Sequence, residues 1–229
     1  MLSYSQFLLN IPQPEQRSKE WYEKRSNLIT SSNIGTILDL NPYKKSTVYF
    51  NELINGTNEF QGNCATEHGN YYENMSIQTY MNSLHYNGCD LGLVNIMDNT
   101  LHDKYDFITS KNLYWLAGSV DKLVWPNEFD QPTKQNCIAV ENKCPFYNTN
   151  LKYGYVKEYY WPQLQFNMYI LDLQVGDYIE MIPQNFKNSN FKMNIVRIYR
   201  DDTWIEGYAL PKLEEFYLKW QNKKMKRSI

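Results

Sequence analysis

The sequence lacks the usual marks of several protein classes. None of its four cysteines belongs to a CxxC pair, and its three histidines lack the HExxH spacing, so a zinc site is not expected. No apolar run approaches the ~20 residues that a membrane-spanning helix needs, and no secretory signal is visible. We therefore expect an intracellular protein with reduced thiols and no membrane contact, in the cytoplasm or the nucleus.

An excess of basic charge is also missing, since the formal net charge is -2. Many nucleic-acid-binding proteins carry a basic footprint, but the overall balance can hide local basic runs. One such run, residues 223–227 at the C-terminus, is either a solvated tail or a phosphate contact. The 20 tyrosines could stack on bases, although an AT-rich genome would also produce them, and we favour that second explanation.

A length of 229 residues with 42% hydrophobic side chains suits one domain with a sizeable core. Apolar periodicity and caps predict helices at residues 18–25, 30–40, 47–55, 65–84, 159–173 and 201–222. Strands are predicted at residues 91–97, 113–125 with a break at Gly118-Ser119, 136–143, 175–182 and 193–199. This order predicts an α/β domain with a central mixed sheet flanked by helices.

Two short segments carry the residues with the clearest chemical meaning. Asp121 follows Gly118-Ser-Val, and Glu141-Asn-Lys143 ends an apolar strand. Proline, asparagine and aspartate residues between the two segments predict a turn, so paired strands can bring Asp121 and Glu141 together. Because residues 141 and 143 are two apart on a strand, their side chains leave the same face.

These residue types suit phosphodiester hydrolysis. The carboxylates of Asp121 and Glu141 can hold a hard cation such as Mg²⁺, and the main-chain carbonyl of Asn142 can add a ligand. Such a cation polarises the phosphate and lowers the pKa of a bound water, while Lys143 can stabilise negative charge on the phosphoryl oxygens. The competing interpretation is a solvated Glu–Lys pair on a strand, and these residues alone leave both open.

Six segments, in order along the chain, resemble the lambda-exonuclease or YqaJ-type viral recombinase family of the PD-(D/E)xK nuclease superfamily. They are Trp21-Tyr-Glu-Lys-Arg25, Ile29-Thr-Ser-Ser32, His68-Gly-Asn-Tyr-Tyr-Glu73, Ala117-Gly-Ser-Val-Asp121, Val140-Glu-Asn-Lys-Cys-Pro145 and Tyr160-Trp-Pro-Gln-Leu-Gln165. Each is unspecific alone, but all six in the family's order are specific, and they cover most of the chain.

The resemblance implies a restriction-endonuclease-like α/β core and a single nuclease domain over residues 1–229. Helices within residues 1–63 would form part of the DNA-binding surface, residues 64–200 the catalytic core, and residues 201–225 a C-terminal helix. Asp121 and Glu141 would be metal ligands with the Asn142 carbonyl, and Lys143 the catalytic lysine. Glu73 would support a metal or its water; without the resemblance it is an exposed helix acid.

The resemblance also assigns a helix to the site. Gln163 and Gln165 fall in the family's QxQ motif. Gln163 would bind the DNA or its 5′-phosphate, and Gln165 would be a catalytic residue near the active site that touches the lysine, a water or the DNA backbone. Without the family pattern the same segment is an amphipathic core helix, and both descriptions can hold together.

Three further residues, Arg25, Ser32 and Ser119, match positions that bind the terminal 5′-phosphate in the lambda branch. Arginine offers phosphate a fork of donors, and the hydroxyl of Ser32 would lie near free N–H groups at a helix start. The alternative is that Arg25 makes a surface ion pair and Ser32 caps a helix.

The sequence departs from the family pattern at two places. Val120 stands where the PD motif has proline, a position that tolerates apolar residues. The lambda branch has another phosphate-binding arginine after its ExK segment; the corresponding place here is near Thr149, and Lys152 is the nearest cation.

By resemblance, we expect a Mg²⁺-dependent 5′→3′ exonuclease that acts on linear double-stranded DNA in viral or phage-type recombination or repair. A viral replication site in the host cell is then a further expected location. Mn²⁺ would substitute, and one or two ions would bind. A single-strand annealing protein would be a partner, and a homo-oligomer such as a trimeric ring could surround the DNA. The alternatives are an endonuclease of the same fold that degrades DNA generally, and a non-catalytic module that binds DNA ends.

Overall fold

The computed structural model describes residues 4, 14, 18–57, 62–95, 113–147, 150–185 and 188–227. Its helices are α1 (Lys19–Arg25), α2 (Ser31–Ile37), α3 (Ser46–Asn55), α4 (Cys64–Leu84), α5 (Trp161–Ile170), α6 (Asp202–Trp204) and α7 (Leu210–Arg227). Its strands are β1 (Ile29–Thr30), β2 (Tyr86–Cys89), β3 (Val94–Asn95), β4 (Leu116–Gly118), β5 (Lys122–Pro126), β6 (Ile138–Lys143), β7 (Val175–Asn185) and β8 (Asn188–Tyr199). Within these residues, no helix is both long and apolar enough to cross a membrane.

A five-stranded mixed sheet in the order β2-β5-β6-β7-β8 forms the centre of the fold. Strands β5 and β6 are antiparallel neighbours, whereas β6 and β7 are parallel and joined through α5. A smaller sheet of β1, β4 and β3 pairs β1 with β4 in parallel. The predicted α/β class with a central mixed sheet and flanking helices is therefore confirmed.

Different helices cover the two faces of the large sheet, α4 on one face and α5 on the other. Val140 and Ile138 of β6 pack with Tyr80 of α4 on one face. Ala139, between them, belongs to the larger core, which includes Leu164 and most of the other buried side chains of α5. Side chains of alternate β6 residues thus face α4 and α5 in turn, so Glu141 and Lys143 lie on the α5 face.

A hydrogen bond from Tyr80 ties α4 to a buried carboxylate of the sheet, which also pairs with Arg197. Asp177 on β7 is only 1% exposed and accepts hydrogen bonds from Arg197 Nε at 3.0 Å and Nη2 at 2.9 Å. The hydroxyl of Tyr80 donates to the same carboxylate at 2.5 Å. A buried carboxylate is tolerated because charged and hydrogen-bonding partners surround it.

Most predicted elements are found near their predicted bounds. Ser18 caps α1, with its hydroxyl accepting from the Trp21 N–H at 3.1 Å. The strand expected over residues 113–125 is divided at the predicted break into β4 and β5. A π-helical turn over Ile205–Ala209 precedes α7, which begins beside Pro211. Strand β2 was not predicted, and residues 96–97 of the strand predicted at 91–97 lie outside the described residues.

One close approach fixes α2 against the segment that leads into α5. A Cβ added at Gly35 would lie 2.5 Å from the main-chain oxygen of Tyr159. The position therefore requires a residue without a side chain. By contrast, a Cβ at Gly207 would meet nothing within 4 Å.

We expect Gly35→Ala to destabilise the fold by about 1–3 kcal/mol, the usual range for overpacking, because backbone must move to make room. Gly207→Ala is the matched control; it should be neutral or slightly stabilising, because alanine favours helix over glycine. Urea unfolding of both variants measures the difference. Equal stability of the two variants would contradict the proposed contact.

Candidate active site

A cavity of about 460 Å³ opens at the carboxyl end of β6. Its wall includes Glu73, Asp121, Asn142 and Lys143. Glu141 lies behind this wall with no exposed surface. The structure therefore brings Glu73 of α4 together with the two segments that carry Asp121 and Glu141-Asn-Lys143.

The β5–β6 hairpin sets the position of Asp121. Lys122 pairs with Val140 in this antiparallel ladder, and the Asp121 N–H donates to the Val140 carbonyl at 3.0 Å. Asp121 Oδ2 accepts a hydrogen bond from the Asn142 N–H at 2.7 Å. Because N–H and C=O of one strand residue point to the same edge, the Asn142 carbonyl also leaves β6 on the Asp121 side.

Glu141 has two partners inside the protein. Its Oε1 receives a hydrogen bond and ion pair from the Lys143 ammonium, as expected for residues two apart on one strand face. Its Oε2 accepts from Asn167 Nδ2 at 3.2 Å. The Glu–Lys pair is therefore not the solvated surface pair of the alternative interpretation.

Burial dominates the electrostatics of this site. Burial, followed by the neighbouring Asp121 charge, raises the pKa of Glu141 to about 8, with Lys143 opposing the shift. Burial also raises the pKa of Asp121, against the effects of Lys143 and the Asn142 N–H. Burial disfavours the charged form of Lys143, but attraction to Glu141 and Asp121 outweighs it, so the lysine pKa is raised. Two carboxylates held this close in a buried site favour added positive charge.

The donor set fits a hydrated, oxygen-ligated cation. No group of three His, Cys, Asp or Glu side chains among the described residues forms a candidate metal site. Mg²⁺ does not need such a group, because it keeps several waters and binds through one or two carboxylates. Asp121, Glu141 and the Asn142 carbonyl supply three oxygen donors of the appropriate type, and Mn²⁺ accepts the same ligands.

The Asn142 side chain anchors this segment to α4. Its Oδ1 accepts from the Ser76 hydroxyl at 2.6 Å, and its Nδ2 lies 3.7 Å from Cys144 Sγ. Burial raises the pKa of Cys144 to about 11. Cys144 therefore stays a neutral thiol, consistent with a packing role rather than a nucleophilic one.

The structure places Gln165 away from the position expected for it. This side chain is fully buried; its Nε2 donates to the Tyr199 carbonyl at 3.0 Å, and its Oε1 accepts from the Asp201 N–H at 2.8 Å. Both polar ends thus bind the main chain just beyond β8. The expected contact with Lys143 is not among the hydrogen bonds of Gln165, because its face of α5 points toward β8 and the following turn.

Asn167 instead joins α5 to the site, and sequence reasoning did not identify it. Its Nδ2 donates to Glu141 and, at 3.3 Å, to the Ser119 carbonyl. A Cβ at Gly118 would lie 2.9 Å from Asn167 Oδ1, so glycine permits this approach. Gln163 is half-buried on the same helix face as Asn167, four residues earlier. The spacing of Gln163 and Asn167, four residues apart on one helix face, was the sequence signal that could have identified Asn167.

The candidate phosphate-binding residues lie at the ends of two parallel strands. Thr30 of β1 pairs with Ala117 of β4, and Ser32 and Ser119 each follow two residues later. Both serines therefore lie beyond the carboxyl edge of the small sheet. The Asn167 amide, which donates to both Ser119 and Glu141, connects this edge with the carboxylates.

Arg25 approaches the same edge from the end of α1. Its Nη2 donates to Thr30 Oγ1 at 3.3 Å, and Thr30 Oγ1 lies 3.1 Å from Ser32 Oγ. The guanidinium carbon lies 4.3 Å from the ring centre of Trp21. Ser32 is exposed within the first turn of α2, where Thr30 holds the N-cap position, so Ser32 is not the cap.

Known proteins share both sequence and fold with this chain. An African swine fever virus protein is 29% identical over 180 residues, which are 73% of this chain and 50% of that protein. An uncharacterized protein of Acanthamoeba polyphaga mimivirus is 26% identical over 179 residues, 74% of this chain and 30% of that protein. The chain thus spans half or less of the length of these relatives.

Two solved structures with the same fold are described as exonucleases. An alkaline exonuclease from Laribacter hongkongensis matches with a TM-score of 0.63 and 21% identity, over 92% of this chain and 98% of that one. A phage-related exonuclease from Haemophilus somnus matches with a TM-score of 0.51 and 15% identity, over 86% and 93%. Residues 20–174, about two thirds of the chain, match the YqaJ-like viral recombinase domain. The chain therefore belongs to the YqaJ-like viral recombinase domain family.

Proposed function

We propose that the chain is a metal-dependent exonuclease that degrades one strand of linear double-stranded DNA in the 5′→3′ direction. The observation that carries this proposal is that Asp121 and Lys143 line one cavity, with the carboxylate of Glu141 buried directly behind its wall and bound to Lys143. Membership of a viral recombinase family and a fold shared with exonucleases support it. DNA processing during viral or phage-type recombination or repair is the corresponding role.

The residues divide the work of hydrolysis. Asp121, Glu141 and the Asn142 carbonyl would hold Mg²⁺, with Glu73 on the opposite wall supporting the ion or its water. When bound, such an ion polarises the scissile phosphate and activates water. Lys143, kept as an ammonium by its two carboxylate neighbours, would stabilise negative charge on the phosphoryl oxygens. Asn167 would orient Glu141, and Gln163, four residues earlier on the same helix face, would contact the DNA.

Removing the charged groups tests this assignment. Asp121→Asn and Lys143→Ala should each lower the rate of nucleotide release from linear duplex DNA by at least about 10²–10³-fold, because each removes preorganised charge from the reacting phosphate. Removal of divalent metal with EDTA should abolish release, and Mg²⁺ or Mn²⁺ should restore it.

Asp130→Asn is the matched control, since Asp130 is an exposed acid outside the cavity. It should retain wild-type activity. Circular dichroism and DNA binding in EDTA show whether each variant folds and binds. Retained turnover in Asp121→Asn or Lys143→Ala would refute the site assignment.

DNA topology separates the proposed exonuclease from its alternatives. With Mg²⁺, the protein should digest linear duplex DNA and spare covalently closed circles, because only linear DNA has the end that an exonuclease requires. A gel time course with both substrates in one tube provides the measurement. Equal attack on circles would establish an endonuclease, and binding of linear DNA without cleavage would establish an end-binding module.

In this proposal, the 5′ polarity depends on Arg25 and on the two serines beyond the edge of the small sheet, Ser32 and Ser119. Arg25 is linked through Thr30 Oγ1 to the Ser32 hydroxyl, and arginine offers a fork of donors to a terminal phosphate. Arg25→Ala should therefore reduce the preference for 5′-phosphorylated over 5′-hydroxyl ends about tenfold, the effect of one charge-assisted contact. Initial rates on the two kinds of end give the ratio.

Lys19→Ala is the control for this test, because Lys19 lies on the same helix with an 84% exposed side chain. It should leave the preference unchanged. If Arg25→Ala slows digestion of both ends equally, the phosphate site is misplaced even though the nuclease assignment stands.

A further inference from the structure

A second lysine reaches the catalytic cavity from the loop between β6 and α5. Lys157 lines the cavity together with Lys143, and its side chain is 16% exposed. Lys152, the nearest cation to the expected family arginine, is exposed, lies 5.5 Å from the ring centre of Tyr155 and does not line the cavity. Thr149 lies outside the described residues. Lys157 is therefore the lysine that the fold adds to the cavity beside Lys143.

The fold holds Lys157 in a defined position. Its ammonium donates to Glu180 Oε1 at 2.6 Å, and the Tyr178 hydroxyl donates to Glu180 Oε2 at 3.0 Å. Glu180 is 4% exposed and pairs in register with Lys143 across β6 and β7. An ammonium has three N–H donors, and Glu180 is the hydrogen-bond partner that the described residues provide. The remaining donors are available at the cavity wall.

The two lysines lie over one aromatic ring. The Nζ atom of Lys143 is 5.1 Å from the ring centre of Tyr160, and that of Lys157 is 5.9 Å away. The two nitrogens are thus at most about 11 Å apart, the sum of those distances. Phosphates of one DNA strand advance about 3.4 Å along the helix axis per nucleotide, so this span corresponds to three nucleotides or fewer.

We propose that Lys157 is a substrate-positioning residue that binds a non-scissile phosphate of the cleaved strand, within three nucleotides of the phosphate on which Lys143 acts. This inference rests on the proposed nuclease function. A phosphate held at a second point fixes the register of the strand in the cavity. The competing role for Lys157 is only to neutralise the buried carboxylate of Glu180.

A double-variant design separates these two roles. Lys157→Gln removes the charge but leaves Glu180 buried without its cation, which could unfold the protein. Lys157→Gln in a Glu180→Gln background removes both charges and leaves neutral amides in their place. Lys152→Gln is the matched control, because it removes the same charge outside the cavity. Thermal unfolding by circular dichroism confirms that each tested variant is folded.

The first measurement is DNA affinity in EDTA. It is obtained from the fluorescence anisotropy of a labelled 5′-phosphorylated duplex at 50 to 200 mM KCl. The slope of log K against log salt is negative, and each lost phosphate contact on duplex DNA reduces its magnitude by about 0.9. The slope of Lys157→Gln/Glu180→Gln should therefore be about 0.9 smaller in magnitude than that of Glu180→Gln alone, with roughly tenfold weaker binding at low salt. Lys152→Gln should change the slope by less than half as much.

The second measurement is steady-state digestion with Mg²⁺. A positioning residue should raise KM more than it lowers kcat, and Lys157→Arg should restore most of the affinity, because arginine keeps the charge. Unchanged slope and KM after removal of Lys157 in the Glu180→Gln background would overturn the inference. If the wild-type protein neither binds nor cleaves DNA, the proposed function itself fails, which is a distinguishable result.

Discussion

The site depends on the burial of one carboxylate. Glu141 has no exposed surface, and a charge removed from water is stable only when it is paired and hydrogen-bonded. Lys143 supplies the charge from the same strand face, and Asn167 supplies a hydrogen bond from α5. The hydrogen bond from Asn167 therefore ties α5 to β6 at the segment that carries Glu141 and Lys143.

The packing at Gly118 allows the hydrogen bond that Glu141 accepts from Asn167. Glycine at position 118 admits Asn167, and the amide of Asn167 then reaches both Glu141 and the main chain at Ser119. A larger residue at 118 would push α5 away and leave Glu141 without its amide partner. The edge that carries the candidate phosphate-binding serines and the carboxylate site are thus held in one arrangement by a single side chain.

The sequence predicted the parts of the site that depend on strand geometry. Alternation placed Glu141 and Lys143 on one face, and the turn residues predicted the hairpin that brings Asp121 to them. Helix rotation was harder to predict, because α5 is buried nearly all round and apolar periodicity does not identify the face that meets the site. The family's QxQ motif assigned Gln165 to the site, and nothing in the apolar periodicity of the helix pointed to Asn167. Strand β2 was not predicted because Asn87 and Gly88 interrupt its apolar pattern.

The central strands and the connection between β6 and α5 contribute different residues to this cavity. The carboxylates and Lys143 belong to a hydrogen-bonded hairpin in the centre of a sheet, whereas Lys157 and the aromatic residues Phe146, Tyr147 and Tyr159 belong to the connection between β6 and α5. In the proposed nuclease, a change in that connection would alter which nucleic acid fits without disturbing the carboxylates and Lys143. Substrate choice would then vary independently of the proposed chemistry, because one surface segment can change while the sheet stays the same.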